Sequence, residues 1–289
     1  MTSIMLGTSA SEGIPSVFCD CNNCRKARAA KGKNIRTRTD FLIDEKNIID
    51  FGPDIYAQVL REDIDLVNLE NVFLTHFHDD HISLSNLMTH NSGKSVCNKP
   101  LNIYGSKEAL EGIRWIFPIY KDHTHADAPD YFTHFNLMPL DPFVTYSIGG
   151  LAVTPILSSH FGFATNELGF NYIIQKGNGK KFLYAVDTGW YNAETWNFLR
   201  RFDIQLDFIV IECTYCTYKL PYHQDGHLDF ENLLLMIDEF NKCAVIKKGT
   251  PIYVTHISHL NELSHEETQK YFDSLPWNLK MGYDGMKID

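Results

Sequence analysis

Three histidines and two aspartates fall within six positions of the stretch Thr75-His-Phe-His-Asp-Asp-His81, directly after the β-prone run Val72-Phe73-Leu74. Imidazole and carboxylate groups packed this closely repel or compete unless something holds them, and a bound cation would do so. His76 and His78 are two apart and Asp80 adjoins His81. That spacing fits no single helix face, where zinc-binding histidines sit four apart. It fits a tight loop that presents its donors in several directions. Further donors, His160, Asp187 and His256, stand at or after other strand-like runs. Together they could complete the shells of two cations, and zinc, manganese or iron accept imidazole and carboxylate. Catalytic sites keep positions open for water, and two close metals can share a hydroxide.

A second group has a different character. Cys19-Asp-Cys21-Asn-Asn-Cys24 brings three thiols together, whereas a closed structural zinc wants four donors. The chain has seven cysteines. An odd number with close spacing points to metal or redox chemistry, not to a disulfide framework. Cys213 and Cys216, themselves a C-x-x-C pair, are candidate fourth donors. Cys97 and Cys243 read as small core or surface residues.

These donors need a scaffold. Strand-like runs recur at Ser3–Leu6, Asp40–Ile43, Asn47–Asp50, Val72–Leu74, Leu101–Tyr104, Ala152–Ile156, Asn171–Gln175, Lys181–Ala185, Phe208–Ile211 and Ile252–Thr255. A glycine-rich turn between the runs that end at Gln175 and begin at Lys181 reads as a hairpin. Helical patterns occupy Pro53–Arg61, Lys107–Trp115, Ala193–Phe202, Asp229–Asn241 and Ser264–Phe272, with Asp229 as an N-cap. Paired strands with interspersed helices predict a sheet sandwich covered by helices, not a purely parallel sheet. The polar clusters share one address: each follows or ends a strand. If those strands lie side by side, their ends converge at one edge, the common place for a site.

The 289 residues, 44% of them hydrophobic, can bury a large core. No linker, low-complexity segment or repeat appears, so a single domain over 1–289 is expected. No run of eighteen apolar residues suggests a membrane span. The start MTSIMLGTSASEG lacks a basic n-region and a long apolar h-region, so the expected location is the cytoplasm. The net charge of −10 disfavours a large nucleic-acid substrate, which needs a basic surface. The densest basic run, Arg25 to Arg38, reads as a solvated helix and loop.

Thr75-His-Phe-His-Asp-Asp-His81 matches the His-x-His-x-Asp-His signature, and the chain is thereby similar to the metallo-β-lactamase superfamily. The resemblance implies a four-layer αββα sandwich of class α/β and a binuclear site. Carried over by position, His76, His78 and His160 would hold one metal. Asp80, His81 and His256 would hold the other, and Asp187 would bridge them. The start Leu6-Gly-Thr-Ser-Ala-Ser-Glu-Gly-Ile-Pro15, the cysteine loop and the ending Gly282-Tyr-Asp-Gly-Met286 resemble the accessory phosphodiesterases of the carbon–phosphorus lyase pathway. Those relatives take the fourth zinc ligand from a histidine three residues after the catalytic one, here His259. The implied cofactors are two divalent metals, zinc or manganese, and one structural zinc.

A phosphodiester also needs a proton for its leaving alkoxide, from a group that titrates near neutrality. The candidates are His227, in Gly226-His-Leu-Asp-Phe230, and His223 four residues back. The superfamily phosphodiesterases favour His227, and Asp80 is counted with it as catalytic. The resemblance implies phosphoribosyl 1,2-cyclic phosphate or another small cyclic phosphodiester as substrate. The segment 90–135 is longer than in minimal relatives and rich in rings: Trp115, Phe117, Tyr120, His123, His125, Tyr131, Phe132 and His134. The expected partners are the small substrate, no nucleic acid, no membrane and, as an open option, a second copy of the chain. The rivals are a transfer-RNA 3′-processing endonuclease, whose basic arm is not visible here, and a non-catalytic zinc-binding biosynthesis or carrier protein.

Overall fold

The computed structural model describes residues 2–90, 99–121, 135–164 and 166–289. The chain first lays down β1 (Ser3–Met5), β2 (Phe41–Asp44), β3 (Asn47–Ile49), β4 (Asn71–Phe73), β5 (Leu101–Gly105) and β6 (Phe135–Pro139). It then builds β7 (Tyr146–Ile148), β8 (Leu151–Phe161), β9 (Leu168–Gln175), β10 (Lys181–Ala185), β11 (Phe208–Glu212), β12 (Ile252–Thr255) and β13 (Leu279–Met281), and returns with β14 (Met286–Ile288). One sheet has the order β14-β1-β2-β3-β4-β5-β6 and the other β13-β12-β11-β10-β9-β8-β7. Both sheets are mixed. The helices are α1 (Asn22–Ala30), α2 (Ile55–Arg61), α3 (Leu84–Met88), α4 (Lys107–Lys121), α5 (Ala193–Arg201), α6 (Phe230–Lys242) and α7 (His265–Asp273). None is long and apolar enough to cross a membrane, among the described residues.

Strand alternation generates the layers. On β10, Phe182 and Tyr184 face a cluster with Phe41, Phe73 and Tyr172 between the sheets. Leu183 and Ala185 face the opposite way, against Leu199, Leu233 and Phe272 of the helices. On β4, Val72 packs under Leu110 and Ile113 of α4, while Phe73 joins the central cluster. Neighbouring residues on a strand point to opposite faces, so two-faced apolar strands require cover on both sides. Three apolar clusters therefore separate four layers, the αββα sandwich expected from the sequence.

Strand direction then places the site. β3 and β4 run parallel, as do β10 and β11 and β11 and β12. β8 is antiparallel to β9 and β9 to β10, so β8 points the same way as β10. The carboxyl ends of β3, β4, β8, β10, β11 and β12 thus meet at one edge. At the other end of the first sheet stands an asparagine row. Asn136 Nδ2 donates to Asn102 Oδ1 (2.9 Å), Asn102 to Asn71 (3.0 Å), Asn71 to Asn47 (2.9 Å) and Asn47 to Asp44 (2.8 Å). Each amide sits at the matching position of the next strand.

Several expectations need correction. β8 continues to Phe161 through a register irregularity, so His160 lies on the strand rather than after it. α4 runs past Trp115 to Lys121. α3 and strands β6, β7, β13 and β14 are not among the elements expected from the sequence. Within the basic run, Arg36 is buried, bonded to Thr8, the Gly282 carbonyl and His265. Of the segment 90–135, Trp115 is exposed. His123, His125, Tyr131, Phe132, His134 and the side chains of Phe117 and Tyr120 lie outside the described residues, as does Cys97.

Candidate active site

The loop after β4 folds back so that its donors converge. His76 Nε2 lies 2.8 Å from His78 Nδ1, and His160 Nε2 lies 3.4 Å from the same atom. Those three side chains form one group. Asp80, His81, Asp187 and His256 form a second, all ligand atoms within 4.8 Å of one another in each. Asp187 stands between them, its Oδ2 3.4 Å from His76 Nε2 and 2.6 Å from His81 Nε2. Of the seven residues carried over from the superfamily motif, His78, Asp80, His160, Asp187 and His256 line one cleft of about 660 Å³, and His76 and His81 are buried behind it against Asp187.

The tautomers follow from the outer partners. Asp50 Oδ2 takes the Nδ1–H of His81 at 2.7 Å. The Thr75 hydroxyl donates to Asp50 at 3.0 Å and lies 3.1 Å from His76 Nδ1, from which it can accept. The Thr214 hydroxyl donates to Glu212 at 2.7 Å and lies 2.9 Å from His256 Nδ1. In each case Nδ1 is committed to an oxygen behind the ring and Nε2 is the nitrogen turned into the cleft, the usual arrangement behind a metal-binding histidine. Asp50, Asp187 and His256 all adopt positive φ, a conformation that costs energy for such residues and gathers at functional sites.

Whether a cation fits can be asked of the buried atoms themselves. His81 Nε2, His256 Nε2 and Asp187 Oδ1 are buried without a hydrogen bond, a costly state. His81 Nε2 approaches Asp187 Oδ2 at 2.6 Å without the alignment of a hydrogen bond. Such atoms aim at a common point rather than at each other, as ligands around a cation do. Electrostatics agrees. Burial pushes His76 well down and His78 down to about 4, leaving neutral imidazoles. Burial would also lower His81, but the charges of Asp80, Asp50 and Asp187 outweigh it and raise it well above its ordinary value. A proton on His81 thus answers the same negative charge that a cation would.

His227 borders the second group, its Nδ1 3.5 Å from Asp187 Oδ1. Glu212, buried at the end of β11, fixes it with a 2.9 Å contact from Nδ1. Glu212 also accepts the N–H groups of Thr188, Thr214 and Leu228. Burial would lower the His227 imidazole, yet the Glu212 charge and hydrogen bond carry it up to about 9. His223 faces elsewhere, stacked between Trp190 (ring centroids 3.7 Å apart) and Tyr222 (3.8 Å). Sequence reasoning missed Asp50, Thr75, Thr214 and the role of Glu212. Their only signal was a polar residue at a strand end.

The cysteine loop forms a separate cluster of Cys19, Cys21, Cys24 and His259. His259 Nδ1 lies 3.7 Å from the sulfurs of Cys21 and Cys24. Burial would raise the Cys21 thiol, but the Cys24 N–H and His259 hold it down to about 6, toward the thiolate that binds metal. Cys213 and Cys216 lie in the helix-side core instead, where Cys216 donates to the Cys213 carbonyl at 2.9 Å. The Glu12 carboxylate accepts from Ser258 and from the His259 N–H, and it also lines the cleft.

Residues 47–257 match the family described as Beta-lactamase superfamily domain, and the chain belongs to that superfamily. An octanoyltransferase of Porphyromonas gingivalis is 29% identical over 182 residues, 59% of this chain and 34% of that one. A ribonuclease Z of Thermoplasma acidophilum is 28% identical over 124 residues, 40% of this chain and 36% of that one. The chain spans about a third of the length of these curated relatives. Among solved structures, a diphosphatase from the PhnP family shares the fold with a TM-score of 0.72, at 22% identity over 99% of this chain and 96% of that one. The superfamily match and the sandwich accord with the two adjoining groups of side chains that could each hold a metal ion.

Proposed function

We propose that the protein is a cytoplasmic binuclear metal phosphodiesterase acting on a small cyclic phosphodiester, of which phosphoribosyl 1,2-cyclic phosphate is the type. The observation that carries the reading is the pairing of two adjoining donor groups with a charged, carboxylate-held His227 in one cleft. His76, His78 and His160 would hold one divalent cation, zinc or manganese. Asp80, His81 and His256 would hold the other, with Asp187 serving both. Bound there, the cations would supply Lewis acidity to the phosphoryl oxygens and make a water nucleophilic near neutral pH.

The chain's own residues do the rest. Asp50, Thr75 and Thr214 keep three imidazoles in the donor tautomer. Glu212 keeps His227 charged and its ring fixed. As the water oxygen forms the new P–O bond, the bond to the alkoxide breaks and His227 gives that oxygen its proton. Cys19, Cys21, Cys24 and His259 would hold a structural zinc that ties the N-terminal loop to the turn after β12.

A second reading, a transfer-RNA 3′-processing endoribonuclease, is favoured by the ribonuclease Z relatives, and the net charge of −10 weighs against it. Rates on phosphoribosyl 1,2-cyclic phosphate, cyclic nucleotides and precursor transfer RNA, side by side, decide between them. A small cyclic diester is expected to be fastest, and dominance of transfer RNA selects the second reading. His81→Ala and Asp187→Ala should each lose turnover of bis(p-nitrophenyl) phosphate by at least about 100-fold with the fold intact by circular dichroism. Unchanged turnover in either refutes the site, and a folded, metal-loaded protein inert on every diester points to a non-catalytic zinc protein.

A further inference from the structure

The metal cleft does not stand alone. A second chamber of about 590 Å³ adjoins it, and the two share Ser11, His78, Asp79, Asp80 and Phe163 as common walls. Beyond that boundary the chamber is lined by Phe77, Ile82, Leu84 and Ile116. Phe163 is exposed. Its ring centroid lies 4.0 Å from that of His78, tilted by 54°, and its N–H is tied to the Phe77 carbonyl at 3.2 Å. Phe163 thus stands at the boundary between the donor cleft and the chamber.

The chamber's polar groups are already engaged. Arg38 Nη1 pairs with Asp54 at 2.8 Å and its Nε donates to the Ser11 carbonyl at 2.9 Å. Ser83 and Ser85 hydrogen-bond each other at 3.1 Å. The remaining charges on the walls are carboxylates, the exposed Asp79 and, at the boundary with the cleft, Asp80. A second phosphate would meet a like charge here, and the guanidinium is already neutralised. A flat, uncharged ring would find apolar walls and a stacking face.

We propose that this chamber is the subsite for an uncharged, ring-bearing substituent of the phosphodiester, such as a nucleobase, with Phe163 as its stacking platform. The proposal rests on the phosphodiesterase reading and narrows it: cyclic nucleotides would then rank above phosphoribosyl 1,2-cyclic phosphate, which carries a second phosphate and no aromatic ring. Among small diesters, those carrying an aromatic group are preferred over those carrying a second charge or a bare methyl.

Bis(p-nitrophenyl) phosphate and methyl p-nitrophenyl phosphate test it, because they release the same phenolate and differ only in the group that stays. The metal-loaded protein should show a KM for the diaryl ester about 10-fold lower. Phe163→Ala and, further from the metals, Ile116→Asp should each raise the ratio of the diaryl KM to the methyl KM at least about 5-fold. Ratios within 2-fold of the parent's would overturn the subsite. Calorimetric binding of phenylphosphonate against methylphosphonate reads the chamber without turnover. A preference for phenylphosphonate that both substitutions abolish, in a protein inert on diesters, sinks the function reading and keeps the subsite. Equal affinities sink the subsite whatever the turnover.

Discussion

His227 and Glu212 show how far one contact can set chemistry. A largely buried histidine packed beside the His160 and His256 rings would lose its proton to desolvation if left to itself. The Glu212 carboxylate reverses that outcome and holds His227 near 9, so the proposed acid keeps its proton through neutral pH. The sign of the consequence follows. A general acid works while protonated, so activity falls as pH rises through its pKa. Glu212→Gln removes the charge that raises that pKa and should move the basic limb of the kcat profile to lower pH by about one unit or more. It should also lower kcat by on the order of 100-fold. A basic limb that stays in place would show that His227 is not the group reporting there. A merely structural role for Glu212 would lower stability without moving the profile.

At the scale of elements, the loop of proposed metal ligands after β4 depends on how closely α4 approaches it. A Cβ on Gly112 would lie 2.6 Å from Phe77 Cδ1, and Phe77 is the residue between His76 and His78. Gly112→Ala would gain about 1 kcal/mol in helix propensity. Against it stands overpacking of a buried ring, which costs about 1–3 kcal/mol. The second should win. The substitution is expected to lower the urea midpoint and weaken metal binding about 10-fold, measured by chelator competition. A raised midpoint with unchanged affinity would mean that the ring yields freely. The sequence could not announce this contact, because Gly112 looks like an ordinary tolerated glycine in a helix. By contrast His76–His81 was legible at once, since five chemical side chains crowd six positions and few core patterns imitate that. Asp50 and Glu212 fell in between. A lone acid at a strand end resembles a turn residue until neighbouring strands bring an imidazole to it. Short strands such as β7 and β13 were silent for a different reason: pairing with a longer neighbour, not their own alternation, makes them strands.

For the whole molecule, the cysteine cluster joins distant parts of the chain. Ala10 donates to the Ile257 carbonyl at 3.1 Å and Ile257 to the Thr8 carbonyl at 3.0 Å, so the N-terminal loop already leans on the turn that carries His256. A zinc held by Cys19, Cys21, Cys24 and His259 would lock that seam. Cys21→Ser should remove one equivalent of zinc and lower Tm by roughly 5 °C, about 2 kcal/mol for a chain of this size. An unaltered metal count would argue against a closed site. Loss of the cleft metals as well would show that the seam also aligns His256.

The asparagine row at the far end of the first sheet has a direction. Every rung gives its hydrogen toward Asp44, whose carboxylate can only receive. Turning over any one carboxamide would set donor against donor on one side and oxygen against oxygen on the other, so all four must turn together. The reversed row would then press an oxygen against the anion of Asp44. Four separate rotors are thereby reduced to a single shared choice, and one negative charge makes that choice for strands that are distant in sequence.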